Sequence, residues 1–270
     1  MSIPLSFKGQ SVFVAGGSSG INLGIAKAFA INGASVAIVS RSPERVAGAV
    51  AELKALAQTD AHMHGYSADV RDAEAIAEVL AQAHAAMGDF DVLVSGAAGN
   101  FVAPALGMSA KGFRTVVDID LNGTFHVLRG AHDYLKKPGA SVLNISAPQA
   151  YNPTMYQAHV CAAKAGVDML TRVLAMEWGP QGIRVNSIVP GPIGDTEGVR
   201  RLAPTPEALA RMSASVPLGR MGTTEEIADM ALFLCSRHAQ FVTGAVIPVD
   251  GGSSLAGGRD LSAGWTPKEA

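Results

Sequence analysis

The chain has 270 residues, 48% of them hydrophobic, and a formal net charge of −2. The length fits one large α/β domain or two smaller ones, and the near-neutral balance excludes a nucleic-acid binder and a polybasic membrane binder. No apolar run reaches the ~20 residues of a membrane span. In chain order, Ser11 to Val14 reads as a strand, followed by the glycine-rich Gly16-Gly17-Ser18-Ser19-Gly20 and a helix with apolar residues at helical spacing, Ile25 to Ala30. Val36 to Ser40 is a second strand. Pro43 to Gln58 is a helix with Ser42 as its N-cap. His62 to Ala68 is a short third strand, Asp72 caps a helix to Met87, and Val92 to Val94 is a buried strand. A long helix is predicted from about Ser109 to Lys137, then a strand from Ser141 to Ile145 and a helix from about Tyr156 to Trp178. Arg184 to Val189 is a strand stopped by Pro190-Gly191-Pro192. Thr223 to Ser236 is a helix capped by Thr223 or Thr224, and Ala245 to Val249 is the last strand.

Seven apolar strands separated by helices predict a doubly wound parallel sheet covered on both faces. No linker interrupts the middle, so residues 1–270 read as a single domain. The glycine run between first strand and first helix has a physical use. Glycines let the backbone turn sharply and approach a pyrophosphate, and the free N–H groups of the helix start face its charge. Ligands of such sheets bind beyond the C-terminal strand ends. Those ends carry Gly16–Gly20, Ser40–Arg41, Asp69, Gly96–Gly99, Ser146 and Pro190–Thr196, which together predict a dinucleotide site. Cys161 and Cys235 each sit in an apolar helical pattern and make no disulfide framework. Met1 to Gln10 lacks the regions of a signal peptide, so a reduced, cytoplasmic setting is expected. No Cys/His spacing suggests a metal.

Several motifs fall in an order that resembles the short-chain dehydrogenase/reductase family over roughly Gly9 to Gly252. They are the glycine turn, Asp69-Val70, Ala97-Ala98-Gly99, Leu121-Asn122-Gly123, Ala163-Lys164-Ala165-Gly166, Gly182-Ile183-Arg184-Val185-Asn186, Pro190-Gly191-Pro192 and Asp250-Gly251-Gly252. Ala97-Ala98-Gly99-Asn100-Phe101, Asp118-Ile119-Asp120, Glu177-Trp178-Gly179-Pro180-Gln181, Thr196-Glu197-Gly198 and Arg200-Arg201-Leu202 are similar to the 2,4-dienoyl-CoA reductases within it, the peroxisomal type above all. The C-terminal Pro267-Lys268-Glu269-Ala270 has no Ser-Lys-Leu type address, which fits the cytoplasm. The chain also departs from the family. Four residues before Lys164, where most members carry tyrosine, stands Val160. Fifteen before it, where mitochondrial dienoyl reductases carry tyrosine, stands Gln149. The third glycine of the turn is Asn22, and the usual Asn-Asn-Ala-Gly reads Ser95-Gly96-Ala97-Ala98-Gly99.

The resemblance implies a Rossmann fold with a lid at about 192–222 and a homotetramer built partly by the two long helices. It also implies NAD(P)H-dependent reduction of a carbon–carbon double bond in an acyl-CoA thioester, a 2,4-dienoyl-CoA or a 2-enoyl-CoA. It assigns Gly16, Ser18, Ser19, Gly20, Ile21, Asn22, Ser40, Arg41, Asp69, Val70, Ala97, Ala98, Gly99, Pro190, Gly191, Ile193 and Thr196 to the cofactor. Lys164 is to hold the nicotinamide ribose, Asp69 the adenine edge, and Ile193 and Thr196 the carboxamide. No acidic residue follows the second strand, and the Arg41 guanidinium suits a 2′-phosphate, so NADPH is expected over NADH. For catalysis it offers Lys164, Asn122, Ser146 and Tyr151, with Asp120 and Asp250 orienting water in place of the missing tyrosine. His159 reads as either a proton relay or a packed helix residue. For substrate it offers Asn100, Phe101, Tyr156 and Arg201, the last for CoA phosphates. Two other readings stay open: a 3-oxoacyl thioester ketoreductase, and a non-catalytic nicotinamide-binding regulatory protein.

Overall fold

The computed structural model describes residues 5–194 and 196–255; the C-terminal Pro267 to Ala270 lies outside them. Seven strands, β1 (Ser11–Ala15), β2 (Ser35–Ser40), β3 (Met63–Ser67), β4 (Val92–Ser95), β5 (Ser141–Ile145), β6 (Arg184–Pro190) and β7 (Val246–Val249), form one sheet in the order β3-β2-β1-β4-β5-β6-β7. Every pairing is parallel, for example Val12 with Val36 on one side and with Val92 on the other. The strand order reverses at β1 and β4, which places a crevice at their C-terminal ends.

Both sheet faces are covered, which explains the near-continuous apolar strands. Val12, Val14, Val36, Ile38, Val92 and Val94 point to one face. There they pack on Ile25 and Phe29 of α1 (Gly20–Ile31), Leu53 of α2 (Pro43–Leu56) and Ile227 of α9 (Thr224–Cys235). Phe13, Ala15, Ala37, Val39 and Leu93 point to the other. They meet Ile76 and Leu80 of α3 (Ala73–Met87), Val127 and Leu128 of α5 (Gly123–Ala131), and Leu174 and Trp178 of α6 (Ala158–Trp178).

The caps agree with the sequence. Ser42 accepts from Arg45 N, Asp72 from Glu74 N and Ala75 N, and Thr223, rather than Thr224, closes a capping box with Glu226. Thr224 instead faces Gly24, where a Cβ would lie 2.8 Å from its own, so glycine lets α1 and α9 approach.

The predicted helix from Ser109 to Lys137 is not one helix. Ser109 caps α4 (Ala110–Val117), a wide turn spans Asp118–Asn122, α5 ends at Ala131, and a tighter turn closes at Tyr134. In the wide turn the Gly123 N–H reaches Asp118 O, five residues back instead of four. Two short helices between β6 and α9, α7 (Glu197–Leu202) and α8 (Pro206–Ala214), carried no clear periodic signal. No helix among the described residues is long and apolar enough to cross a membrane.

Candidate active site

The turn after β1 is built to receive an anion. Gly16 and Gly20 have φ of +78° and +56°, conformations that glycine adopts without a Cβ penalty. At Gly17 an added Cβ would lie 2.7 Å from Ile38 Cγ2. Helix α1 begins at Gly20 with no side-chain cap and no acidic residue in its first turn. Its amides therefore remain available, unlike those of α2, α3 and α9, which side chains cap. These features fit a dinucleotide pyrophosphate.

Beside the turn a cavity of about 460 Å³ opens at the C-terminal strand ends. Ile21, Asn22, Gly96, Ala98, Gly99, Asn100, Asp120, Ser146, Lys164, Pro190, Gly191, Ile193 and Thr196 line it, so those predicted residues come together. At its floor Lys164 Nζ donates to Ile145 O at 2.9 Å and lies 3.3 Å from Asp120 Oδ2. Both side chains are buried, at 7% and 1% exposure. Asp120 Oδ1 accepts from Gly99 N at 2.7 Å, and Thr124 Oγ1 donates to Asp120 O at 2.7 Å. The wide turn in the helix is what aims Asp120 at the lysine. Val160 also faces the cavity, so no hydroxyl stands beside this pair at the place where the family's tyrosine would be. Ser146 is buried at the cavity wall, its Oγ without a partner in the chain.

Other predicted residues lie elsewhere. Asn122 is exposed and donates to Asp118 Oδ1 at 2.8 Å, off the cavity lining. Two residues along the wide turn from Asp120, it points away. Tyr151 and Tyr156 are exposed at 45% and 52% and are not among the lining residues. Tyr156 has φ of +64°, an uncommon conformation for a bulky side chain. Asp250 is engaged by its own turn, accepting from Gly252 N at 2.9 Å and Ser254 N at 2.8 Å. Burial raises its pKa, but these hydrogen bonds outweigh it and hold the carboxyl below its ordinary value. Its backbone packs on Gly191, where a Cβ would lie 2.6 Å from Asp250 Cα. Phe101 packs on His159 with ring centroids 4.3 Å apart. His159 is fully buried, and burial pushes its imidazole below the ordinary range despite the Phe101 and Gln157 carbonyls and the Asp120 charge.

Ser18, Ser19, Ser40, Arg41, Asp69, Val70 and Ala97 also lie off the cavity lining. Asp69 is bound by Arg71, with Nη2 to Oδ2 at 2.6 Å, and that hydrogen bonding holds its carboxyl below the usual range. The Arg41 charge adds to the effect. Arg201 donates from Nε to Glu197 at 2.9 Å and from Nη1 to Asn100 O at 3.4 Å, tying α7 to the loop after β4. Among the described residues no group of His, Cys, Asp and Glu is placed to hold a metal.

Sequence reasoning missed two buried polar groups. Gln157, just before α6, donates from Nε2 to Asn100 Oδ1 and to Phe101 O, each at 3.0 Å. Asp168, one turn beyond Lys164 on the same helix face, is buried and accepts from Ser187 Oγ at 3.3 Å. The i,i+4 spacing of Lys164 and Asp168 was the available signal.

A family model described as enoyl-(acyl carrier protein) reductase matches residues 15–254. The chain is 43% identical to the rat peroxisomal 2,4-dienoyl-CoA reductase over 251 residues, covering 92% of this chain and 85% of that protein. It is 41% identical to a probable 2,4-dienoyl-CoA reductase of Bacillus subtilis over 250 residues, 91% and 97% of the two chains. Among solved structures it is similar to a short-chain type dehydrogenase/reductase from Mycobacterium ulcerans, with TM-score 0.89, 36% identity, and 96% and 94% of the chains covered. With its phosphate turn, reversed strand order and buried lysine, the chain belongs to the short-chain dehydrogenase/reductase family of nicotinamide-dependent oxidoreductases.

Proposed function

We propose that the chain is an NADPH-dependent reductase of the carbon–carbon double bond conjugated to an acyl-CoA thioester, in 2,4-dienoyl-CoA or 2-enoyl-CoA. The observation that carries this reading is the buried Asp120–Lys164 pair with Val160 beside it in the cavity. A ketone reductase must protonate oxygen as hydride arrives, which calls for a fixed acid such as tyrosine. Valine has no such proton. A conjugated thioester instead spreads charge onto its carbonyl oxygen, which needs hydrogen-bond donors, and then takes a proton at carbon. The names of the relatives support the same substrate class.

Bound NADPH supplies the hydride. The turn Gly16–Gly20 and the α1 amides hold its pyrophosphate, and Arg41 its 2′-phosphate. Lys164 spends two of its three N–H donors on Ile145 O and Asp120, leaving the third for a ribose hydroxyl. Ser146 and Asn100 donate to the thioester oxygen. Asp120 orients a water that gives its proton to carbon and regains one from solvent. Val199, Leu202 and Met212 bring α7 and α8 to the cavity wall, and we assign residues 192–222 to a lid over the acyl chain. Arg201 on that lid takes a CoA phosphate. Phe125 of α5 and Met169, Val173 and Met176 of α6 expose apolar surface at 48%, 57%, 40% and 81%, which supports a homotetramer through these helices.

The test is oxidation of NADPH and NADH with dienoyl-, enoyl- and 3-oxoacyl-CoA. Turnover on a dienoyl or enoyl thioester is expected, and the better substrate fixes where hydride lands. Turnover on 3-oxoacyl-CoA alone overturns the argument from Val160. NADPH binding with no turnover on any thioester points to the regulatory reading. The change Lys164→Ala is expected to lower kcat by about a hundredfold or more while circular dichroism stays unchanged.

A further inference from the structure

We propose that Asn22 is a positioning residue, whose side-chain amide occupies the space left by Gly96 and ties the phosphate turn to the loop that holds Asp120, the partner of Lys164. The proposal rests on the nicotinamide reading of the site. Asn22 is buried in the first turn of α1, and its Nδ2 donates to Gly96 O at 2.7 Å and to Gly16 O at 3.4 Å. A Cβ at Gly96 would lie 2.6 Å from both Cγ and Nδ2 of Asn22, and nearer still to Oδ1. A Cβ at Gly16 would lie 3.0 Å from the same Nδ2. The amide is therefore laid across two glycine backbones, and this pose and a side chain at position 96 exclude one another.

The contact leads directly to the chemistry. Three residues past Gly96, the Gly99 N–H holds Asp120 Oδ1, and Asp120 Oδ2 faces Lys164 Nζ. Gly96 N in turn donates to Ala15 O at 3.2 Å, so the loop is held at its root by β1 and by Asn22 together. A shift of the turn that receives the pyrophosphate is thereby passed to the acid–lysine pair through a loop of four residues. The two oddities of the sequence, an asparagine in the glycine turn and a glycine after β4, are one paired exchange.

A double-mutant cycle over Asn22→Gly, Gly96→Ala and the two combined tests this, with NADPH dissociation constants from nicotinamide fluorescence, kcat at saturating NADPH, and unfolding midpoints. Gly96→Ala is expected to weaken NADPH binding by about tenfold or more and to lower kcat. Asn22→Gly is expected to weaken binding by about fivefold, the loss of one hydrogen bond. The combined variant is expected to bind NADPH more tightly than Gly96→Ala alone, because glycine at 22 gives the new methyl room. Equal binding by Gly96→Ala and wild type, or no rescue in the combined variant, overturns the proposal. Should Gly96→Ala not fold, Asn22→Leu, which keeps the approximate size, loses the donor and adds no charge, is expected to lower both affinity and kcat, and unchanged values overturn the proposal. If wild type binds no NADPH, the proposal falls with the cofactor reading, and rescue confined to the unfolding midpoint marks the pair as structural only.

Discussion

Asp168 is the residue whose burial has the clearest cost. Desolvation raises its pKa, and the Ser187 hydroxyl and the charges of Arg172 and Lys164 only partly oppose this. Well below the unfolded carboxyl value both states hold the proton, and stability is at its highest. As pH rises, the unfolded chain releases its proton first while the folded chain keeps it, so stability falls until pH passes the raised folded value. The change Asp168→Asn removes this titration. Its unfolding midpoint is expected to exceed that of wild type by about 2–4 °C at neutral pH, with a smaller gap near pH 4; thermal scans at both pH values check it. A midpoint below wild type at neutral pH would mean that the carboxylate is better satisfied than Ser187 alone provides. Arg41 is exposed at the end of β2, with its charge felt at Asp69. Arg41→Ala is expected to raise KM for NADPH by about tenfold and to leave KM for NADH nearly unchanged. Parallel initial-rate assays with the two cofactors measure the ratio. The glycine turn and Ser146 were placed by their position at a strand end, and Lys164, inside α6, by the family motif around it. Asn122 was assigned from the motif Leu121-Asn122-Gly123, and its direction could not be read there, because a widened turn changes the angle between successive side chains.

Elements were legible where local signals were redundant. Ser42 with Pro43, Asp72 with Glu74, and Thr223 with Glu226 mark helix starts by residue type, and each makes the expected hydrogen bond. The segment 197–214 was opaque because α7 has six residues and α8 nine, too few for a helical period to stand out from loop composition. The capping box of α9 allows a measurement. Thr223 Oγ1 accepts from Glu226 N at 3.3 Å, and Glu226 Oε2 accepts from Thr223 N at 2.9 Å. Arg220 adds an ion pair that holds the Glu226 carboxyl down to about 2. Thr223→Ala is expected to lower stability by about 1 kcal/mol, read as a lower midpoint in urea. Because α9 packs along α1, the same variant is expected to loosen the first turn of α1 and speed amide exchange there.

For the whole molecule, the all-parallel sheet was legible from alternating strand and helix patterns, whereas the strand order was seen only in the structure. Assembly beyond one chain is where the pattern is less direct, since a helix apolar on two sides can face a core and a neighbour alike. In α6 the face with Ala163, Val167 and Leu174 is buried, while Met169, Val173 and Met176 face outward. On the proposed homotetramer, Val173→Arg is expected to shift size-exclusion elution to smaller species while leaving the circular dichroism spectrum intact. Unchanged elution would assign that stripe to another use. The strand order has a consequence in time. During synthesis the chain emerges from its N-terminus, and β1 gains both neighbours, β2 and β4, once Ser95 is made. The anion-receiving turn can thus be framed before Ser146, Lys164, Pro190 and the helices at 197–214 exist. A nascent chain halted there would present half a crevice with no floor and no cover, and nothing made later would need to thread beneath it, because β5, β6 and β7 only add outward along one edge.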